Sequence, residues 1–219
     1  MAMRHLTVYG DSIAAGYGAP LGHGFVPRLA SLTAQKNGDS ILPYFNFGQS
    51  GMTTFALQSA LIYNDSWLWG VTKATTICVL IGGDDIIDDL PILLSRKKAE
   101  LEKALLASVI AYRSIVLEIR RRTRAPLIIG TIYNPYPNTP LAEIVIDTYN
   151  QTVIIPAATS TGASIAPIHS AFSGNQAALI QGYRTGVAGQ SGRNGVLFPI
   201  HPNTHGHQVI AETFASIIS

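Results

Sequence analysis

The sequence is short of cysteine, of charge and of long apolar runs, and each shortage removes a class of protein. With one cysteine, Cys78, no intramolecular disulfide can form, and its place in the run TTICVLIGG marks a buried, inert thiol. Charged residues make up only 13% of the chain and the net charge of +2 is scattered, which argues against a nucleic-acid partner. The basic cluster of Arg120, Arg121, Arg122 and Arg124 falls where a helix should end, and the helix dipole favours cations there. No segment approaches the ~20 consecutive apolar residues of a bilayer span. No Pro/Gly/Ser-rich linker, internal repeat or low-complexity tract divides the 219 residues, so one domain over 1–219 is expected. The start MAMRHLTVYG has no apolar signal core before its first strand, so a cytoplasmic enzyme is expected, with secretion after removal of a signal as the alternative.

What the chain does contain is apolar residues in short, β-rich runs. LTVYG at 6–10, YFNFG at 44–48, TICVLIGG at 76–83 and PLIIGTIYN at 126–134 each lead into glycine or polar residues, and ASIAPI at 163–168 is a weaker fifth. Runs this short and apolar on both faces suit a parallel sheet covered by helices on each side. The clearest helix spans 97–122, where Leu101, Leu105, Val109, Tyr112, Val116 and Ile119 form one core face. Others are expected at 24–36, 53–63, 140–159 with Pro140 in the first turn, and 203–218. Strands alternating with helices predict an α/β, three-layer α/β/α sandwich.

In an open α/β sheet, ligands bind beyond the carboxyl ends of the strands. The residues there are Gly10-Asp11-Ser12, Gly48-Gln49-Ser50-Gly51, Gly82-Gly83-Asp84-Asp85 and Asn134-Pro135-Tyr136. Ser12 is placed to meet a carbonyl carbon, given a base to take its proton; on its own it also reads as a helix N-cap. Among the six histidines, His5 opens the first strand and His23 lies in a loop. His201 stands just before the last helix, where it can face Ser12, and Pro202 after it biases it away from helix. A metal cluster of His201, His205 and His207 is the rival reading, with spacing broken by Pro202. Donors for a developing oxyanion are available from the backbone N–H groups of Gly51 and Ser12. Asp11 reads as the residue that ties down the turn presenting Ser12, Asp88 and Asp89 as solvated or capping residues, and Asn203 and Thr204 as helix-start residues.

The blocks GDSIAAGYG, NFGQSGMTT, IGGDD and HPNTHGHQVIA together resemble, in order and spacing, the GDSL or SGNH hydrolase family. The resemblance implies a flavodoxin-like five-stranded parallel sheet of order 2-1-3-4-5 and hydrolysis of esters or thioesters. It implies Ser12 as nucleophile, His201 as base and Gly51 as an oxyanion donor through its backbone. Two positions depart from the family pattern: Asp84 stands where an Asn normally donates to the oxyanion, and Phe198 where an Asp normally orients the histidine.

An ionised carboxylate only accepts hydrogen bonds, so Asp84 serves an oxyanion hole only when protonated; the alternative is that its carboxylate pairs with His201. His201 can in turn find an orienting acceptor in a backbone carbonyl near Phe198 and Pro199, making a Ser-His dyad. Phe47, Met52, Tyr136 and Phe198 are candidates for lining an acyl pocket, while Phe55 reads better as core packing. The function expected is a serine hydrolase acting on a small-molecule ester, with no cofactor or metal. Acyl transfer to an alcohol would use the same residues. The alternative is a non-catalytic or weakly active ligand-binding relative; a flavin module is weaker, because Ile13-Ala14-Ala15 offers no hydroxyl for a phosphate cradle.

Overall fold

The computed structural model describes residues 4–95, 97–188 and 199–218. Strands β1 (Leu6–Gly10), β2 (Tyr44–Gly48), β3 (Thr76–Leu80), β4 (Leu127–Gly130) and β5 (Ser164–Ala166) form one parallel sheet in the order 2-1-3-4-5. This is the flavodoxin-like arrangement that the family resemblance implied, within the α/β/α sandwich expected from the alternation of strands and helices. The helices are α1 (Ser12–Ala15), α2 (Phe25–Asn37), α3 (Thr54–Tyr63), α4 (Asp65–Lys73), α5 (Gly83–Asp88) and α6 (Leu90–Ser95). They continue with α7 (Lys98–Arg122), α8 (Pro140–Tyr149), α9 (Ile155–Thr159), α10 (Ile168–Phe172), α11 (Gln176–Leu179) and α12 (Thr204–Ile217). None of the described helices is long and apolar enough to cross a membrane.

The period-2 alternation of each strand divides the core between the two faces. Leu6 and Val8 of β1, Cys78 and Leu80 of β3 and Ile128 of β4 pack with α2 and α12. Tyr9, Ile77, Val79, Leu127 and Ile129 pack on the opposite face with α3 and α7. β1 and β4 are buried along their whole length, as expected of strands apolar on both sides. Cys78 is a buried free thiol whose pKa burial drives far upward. Along α7, Tyr112, Val116 and Ile119 are fully buried and Leu105 and Val109 pack partly, but Leu101 is exposed, as are all of residues 98–103 at the start of the helix. The arginines close the other end of α7: Arg120 donates to the carbonyls of Ala125 and Thr161, and Arg121 and Arg122 pair with Glu118.

Two expected strands stop early, each for a local reason. After β3, Gly82 at φ 126° turns the chain into α5, so 81–83 is not strand. After β4, the Asn150 side chain replaces a neighbouring strand: its amide donates to the Ile132 carbonyl and its oxygen accepts from the Ile132 N–H, both at 2.9 Å. Asn150 opens a π-helical turn, Asn150–Ile154, that joins α8 to α9 without a break, so the helix expected at 140–159 is present with a bulge. Pro156, which has no N–H to give, follows that wider turn. The short helices α4, α5, α6, α10 and α11 fall in segments where no helix was expected.

His207 fastens the last helix to the segment after α1. Its side chain is wholly buried, its Nδ1 accepts from the Phe25 N–H at 3.1 Å, and its Nε2–H donates to the Tyr17 carbonyl at 2.8 Å. Only the neutral ring makes both bonds, and burial pushes its pKa down to about 4. The unfolded chain therefore binds this proton more readily than the folded one. The stabilisation is complete above the ordinary value of about 6.5 and is lost as pH falls towards 4, up to about 3 kcal/mol. We predict that urea unfolding at pH 7 and pH 4 shows the wild type losing about 3 kcal/mol more than His207→Gln between the two; equal losses would remove His207 from the acid response.

Candidate active site

Ser12 begins where β1 ends. Asp11 caps α1, its Oδ1 accepting the Ile13 N–H at 2.9 Å, and Ser12 is the first helical residue. The short helix lies across the ends of β1 and β2, held by Asn46 Nδ2 donating to the Ala14 carbonyl at 2.8 Å. The fit is close enough that a Cβ on Gly48 would sit 2.3 Å from the Ala15 nitrogen. This is why small residues follow the serine: a bulkier pair at Ala14 and Gly48 would lift α1 off the strand ends. The Ser12 amide, at the first helical position, has no acceptor within its own helix.

His201 arrives from the far end of the chain. Pro202 bridges to Ile180, the Gln181 N–H donates to the His201 carbonyl at 2.9 Å, and the Tyr133 hydroxyl donates to the Ile200 carbonyl at 2.6 Å. Asn203 caps α12, its side chain accepting from the His205 and Gly206 N–H groups. Held on both sides, His201 sets Nε2 3.0 Å from Ser12 Oγ. The Tyr17 ring lies tilted against the imidazole at 5.5 Å, and burial lowers the pKa of His201, favouring the neutral ring. The remaining histidines are otherwise placed. His5 stacks on Phe45 at 4.7 Å, His23 and His205 are exposed, and His169 faces Glu143 at 3.4 Å. His207 spends both ring nitrogens on backbone groups, which leaves none for a metal cluster with His201.

Three carboxyl groups gather at the ends of β1 and β3. Burial, with Asp84 and Asp85 adding repulsion, raises Asp11 to about 7 against the opposing effect of the Ile13 N–H. Burial, with Asp88 and Asp85, raises Asp84 to about 6. Oδ2 of Asp84 is buried and has no hydrogen-bond partner. Asp85 differs from its neighbour. It accepts the Thr54 N–H at 2.9 Å and the Thr54 hydroxyl at 2.5 Å, so it ties the start of α5 to the first turn of α3. Burial still raises Asp85, and these bonds oppose the rise. Asp88 is exposed, as expected for a solvated residue.

Ser12, Asp84 and His201 line a single cavity of about 430 Å³, whose walls are otherwise largely aliphatic. Gly51 is not among its lining residues. It is the third residue of the turn Gln49–Met52, at φ 76°, a conformation that favours glycine. The Gln49 N–H donates to the Gly10 carbonyl at 3.1 Å, which fastens that turn beside the end of β1. Of the aromatic and apolar candidates, Tyr136 lines the cavity. Phe47 stacks on Tyr9 at 5.1 Å and Met52 is in the core. Phe55, expected in the core, is 70% exposed on the outer side of α3. Phe198 lies outside the described residues.

Sequence reasoning missed most of the cavity wall. Ile86 and Ile87 of α5, Leu90, Leu93 and Leu94 of α6, and Val145 of α8 line it. IGGDDIIDDLP reads as an acid-rich loop because its apolar residues come in pairs between aspartates. Pro91 in the first turn of α6 was the available signal for a second helix start.

The whole chain has close structural counterparts. A lipase from a goat rumen metagenome superposes with a TM-score of 0.73 at 21% identity, covering 98% of this chain and 97% of that one. An acetylxylan esterase from Geobacillus stearothermophilus gives 0.67 at 21% identity, covering 99% and 95%. An α/β hydrolase from the metagenome of Lake Arreo, Spain, gives 0.67 at 24% identity, covering 99% and 95%. These are likenesses of fold. No curated protein sequence matches the chain. The model of the GDSL-like Lipase/Acylhydrolase family matches residues 8–209, from within β1 to within α12, and by that match the chain belongs to the GDSL-like lipase/acylhydrolase family.

Proposed function

We propose that this protein is a serine hydrolase of carboxylic esters or thioesters that works through an acyl-enzyme on Ser12. The observation that carries the reading is the 3.0 Å approach of His201 Nε2 to Ser12 Oγ at the wall of an apolar cavity. Membership of a lipase and acylhydrolase family supports it. As Ser12 Oγ bonds to the carbonyl carbon, the neutral His201 takes the hydroxyl proton. His201 then returns that proton to the departing alkoxide or thiolate, leaving the acyl group on Ser12. A water molecule repeats the sequence: His201 takes its proton, its oxygen bonds to the acyl carbon, and the acid leaves as Ser12 regains the proton. The lowered pKa of His201 suits this role, since a ring that is neutral at neutral pH can accept a proton. The steps call for no metal or organic cofactor. A binding protein without chemistry has no physical use for a serine paired with a neutral imidazole.

For the oxyanion we assign the N–H groups of Ser12 and Gly51 and the protonated carboxyl of Asp84. A neutral acid donates where an Asn would, while an ionised one accepts only and repels the developing charge. The buried, unpartnered Oδ2 of Asp84 and its raised pKa support this assignment.

Hydrolysis of p-nitrophenyl acetate, butyrate and octanoate tests the reading. We expect Ser12→Ala and His201→Ala to lower kcat/KM by about a thousandfold or more, whereas rates equal to wild type for Ser12→Ala would reject it.

The pH profile tests Asp84 separately. Activity needs His201 neutral and Asp84 protonated, so it rises as His201 loses its proton below pH 6.5 and falls as Asp84 ionises near pH 6. Asp84→Asn should lose the alkaline limb and gain on the order of tenfold to a hundredfold at pH 8, while changing little at pH 5. Unchanged or lower activity at pH 8 would remove Asp84 from the oxyanion hole.

A further inference from the structure

We infer that the cavity beside Ser12 is a subsite for an unbranched aliphatic chain of roughly six to ten carbons carried by the ester, an inference that rests on the ester-hydrolase reading. The first ground is size. At about 430 Å³ it exceeds the ~30 Å³ share of one water molecule more than tenfold, so an acetyl group would leave most of it unfilled.

The second ground is the wall. Ile86, Leu90 and Leu93 on one segment and Leu141, Val145 and Ile146 of α8 line the cavity, and among the described residues no Lys or Arg lines it. The titratable carboxyl and imidazole groups of the wall, Asp11, Asp84 and His201, sit at the Ser12 end. Asn134 is also in the wall, but its side chain is engaged with Glu143 and with the backbone of Tyr136, and the Thr139 hydroxyl accepts from the Ala188 N–H. Nearly all of the surface that the described residues expose to the cavity is apolar, which leaves little to hydrogen-bond the hydroxyl groups of a sugar.

The third ground is helix α6. Its sequence, LPILLS, is almost wholly apolar, yet none of its residues is buried and none belongs to the core on either face of the sheet. Leu90, Leu93 and Leu94 turn to the cavity instead, and Leu94 and Leu141 at its margin are 65% and 50% exposed. An isolated helix of this length has no stability of its own. Apolar surface left open in this way is removed from water when a chain lies between α6 and α8.

A series of straight-chain p-nitrophenyl esters from acetate to palmitate tests the inference in the wild-type protein. We expect kcat/KM to rise about threefold per methylene and to level off near ten carbons. Ethyl octanoate and octyl acetate carry the chain on opposite sides of the ester, and the faster one identifies which side enters the cavity; ethyl acetate hydrolysed as fast as both would overturn the inference. Leu93→Trp should cut the octanoate-to-acetate ratio at least about tenfold by filling the cavity. Calorimetric titration with 1-butanol, 1-hexanol and 1-octanol needs no turnover. Binding that tightens with chain length supports the subsite even if no ester is cleaved, in which case the hydrolase reading alone fails. No binding of 1-octanol, with acetate hydrolysis intact, overturns the subsite and leaves the hydrolase reading standing.

Discussion

A single hydrogen bond between residues 189 positions apart, His201 Nε2 to Ser12 Oγ, is the contact to which the rest of the molecule is fitted. One end of it depends on β1, whose buried strand stops at Gly10 so that a short helix can lie across the strand ends. The other end depends on the segment before α12, held by Tyr133, Gln181 and Asn203 through backbone groups on both sides of the imidazole. A parallel sheet makes the meeting possible, because every strand delivers its carboxyl end to the same edge. The order 2-1-3-4-5 puts β1 inside the sheet, flanked by β2 and β3.

Removal of water from that edge has opposite effects on acids and bases, and here both run towards the uncharged form. Asp11 and Asp84 are raised while His201 and His207 are lowered. Neighbouring aspartates add repulsion to the first effect. The outcome is a strand-end region rich in ionisable groups that favours their neutral states, beside a cavity walled by leucine, isoleucine and valine. Chemistry with neutral reactants suits such a setting better than recognition of a charged one.

Carboxyl groups adjacent in sequence have different work here. Asp85 is fixed by two bonds from Thr54 and braces α5 against α3. Asp84, one residue earlier, keeps a buried oxygen without a partner. The difference arises from the direction in which successive residues of a helical turn point, one towards the packed body and the other towards the cavity. His207 and His201 make a similar contrast: the first has both ring nitrogens bound to backbone and is structural, whereas the second presents Nε2 to a hydroxyl.

The sequence by itself determined the strands, the long helices and the placing of Ser12 at the end of β1 and of His201 just before the last helix, because these depend on local pattern. Apolar alternation, a proline after His201 and small residues after Ser12 are all written within a few positions. The ends of β3 and β4 were less legible, since Ile132 pairs with the side chain of Asn150 and no local signal announces a partner 18 residues away. Phe55 was misread as core because its outward face is set by how α3 packs on α7. Only the tertiary structure decided that IGGDDIIDDLP is two helices, that Asp85 is a brace, that His207 is a clamp, and that α6 and α8 enclose a cavity. Those features come from contacts between elements distant in the chain, whose burial and partners exist only once the sheet has brought them together.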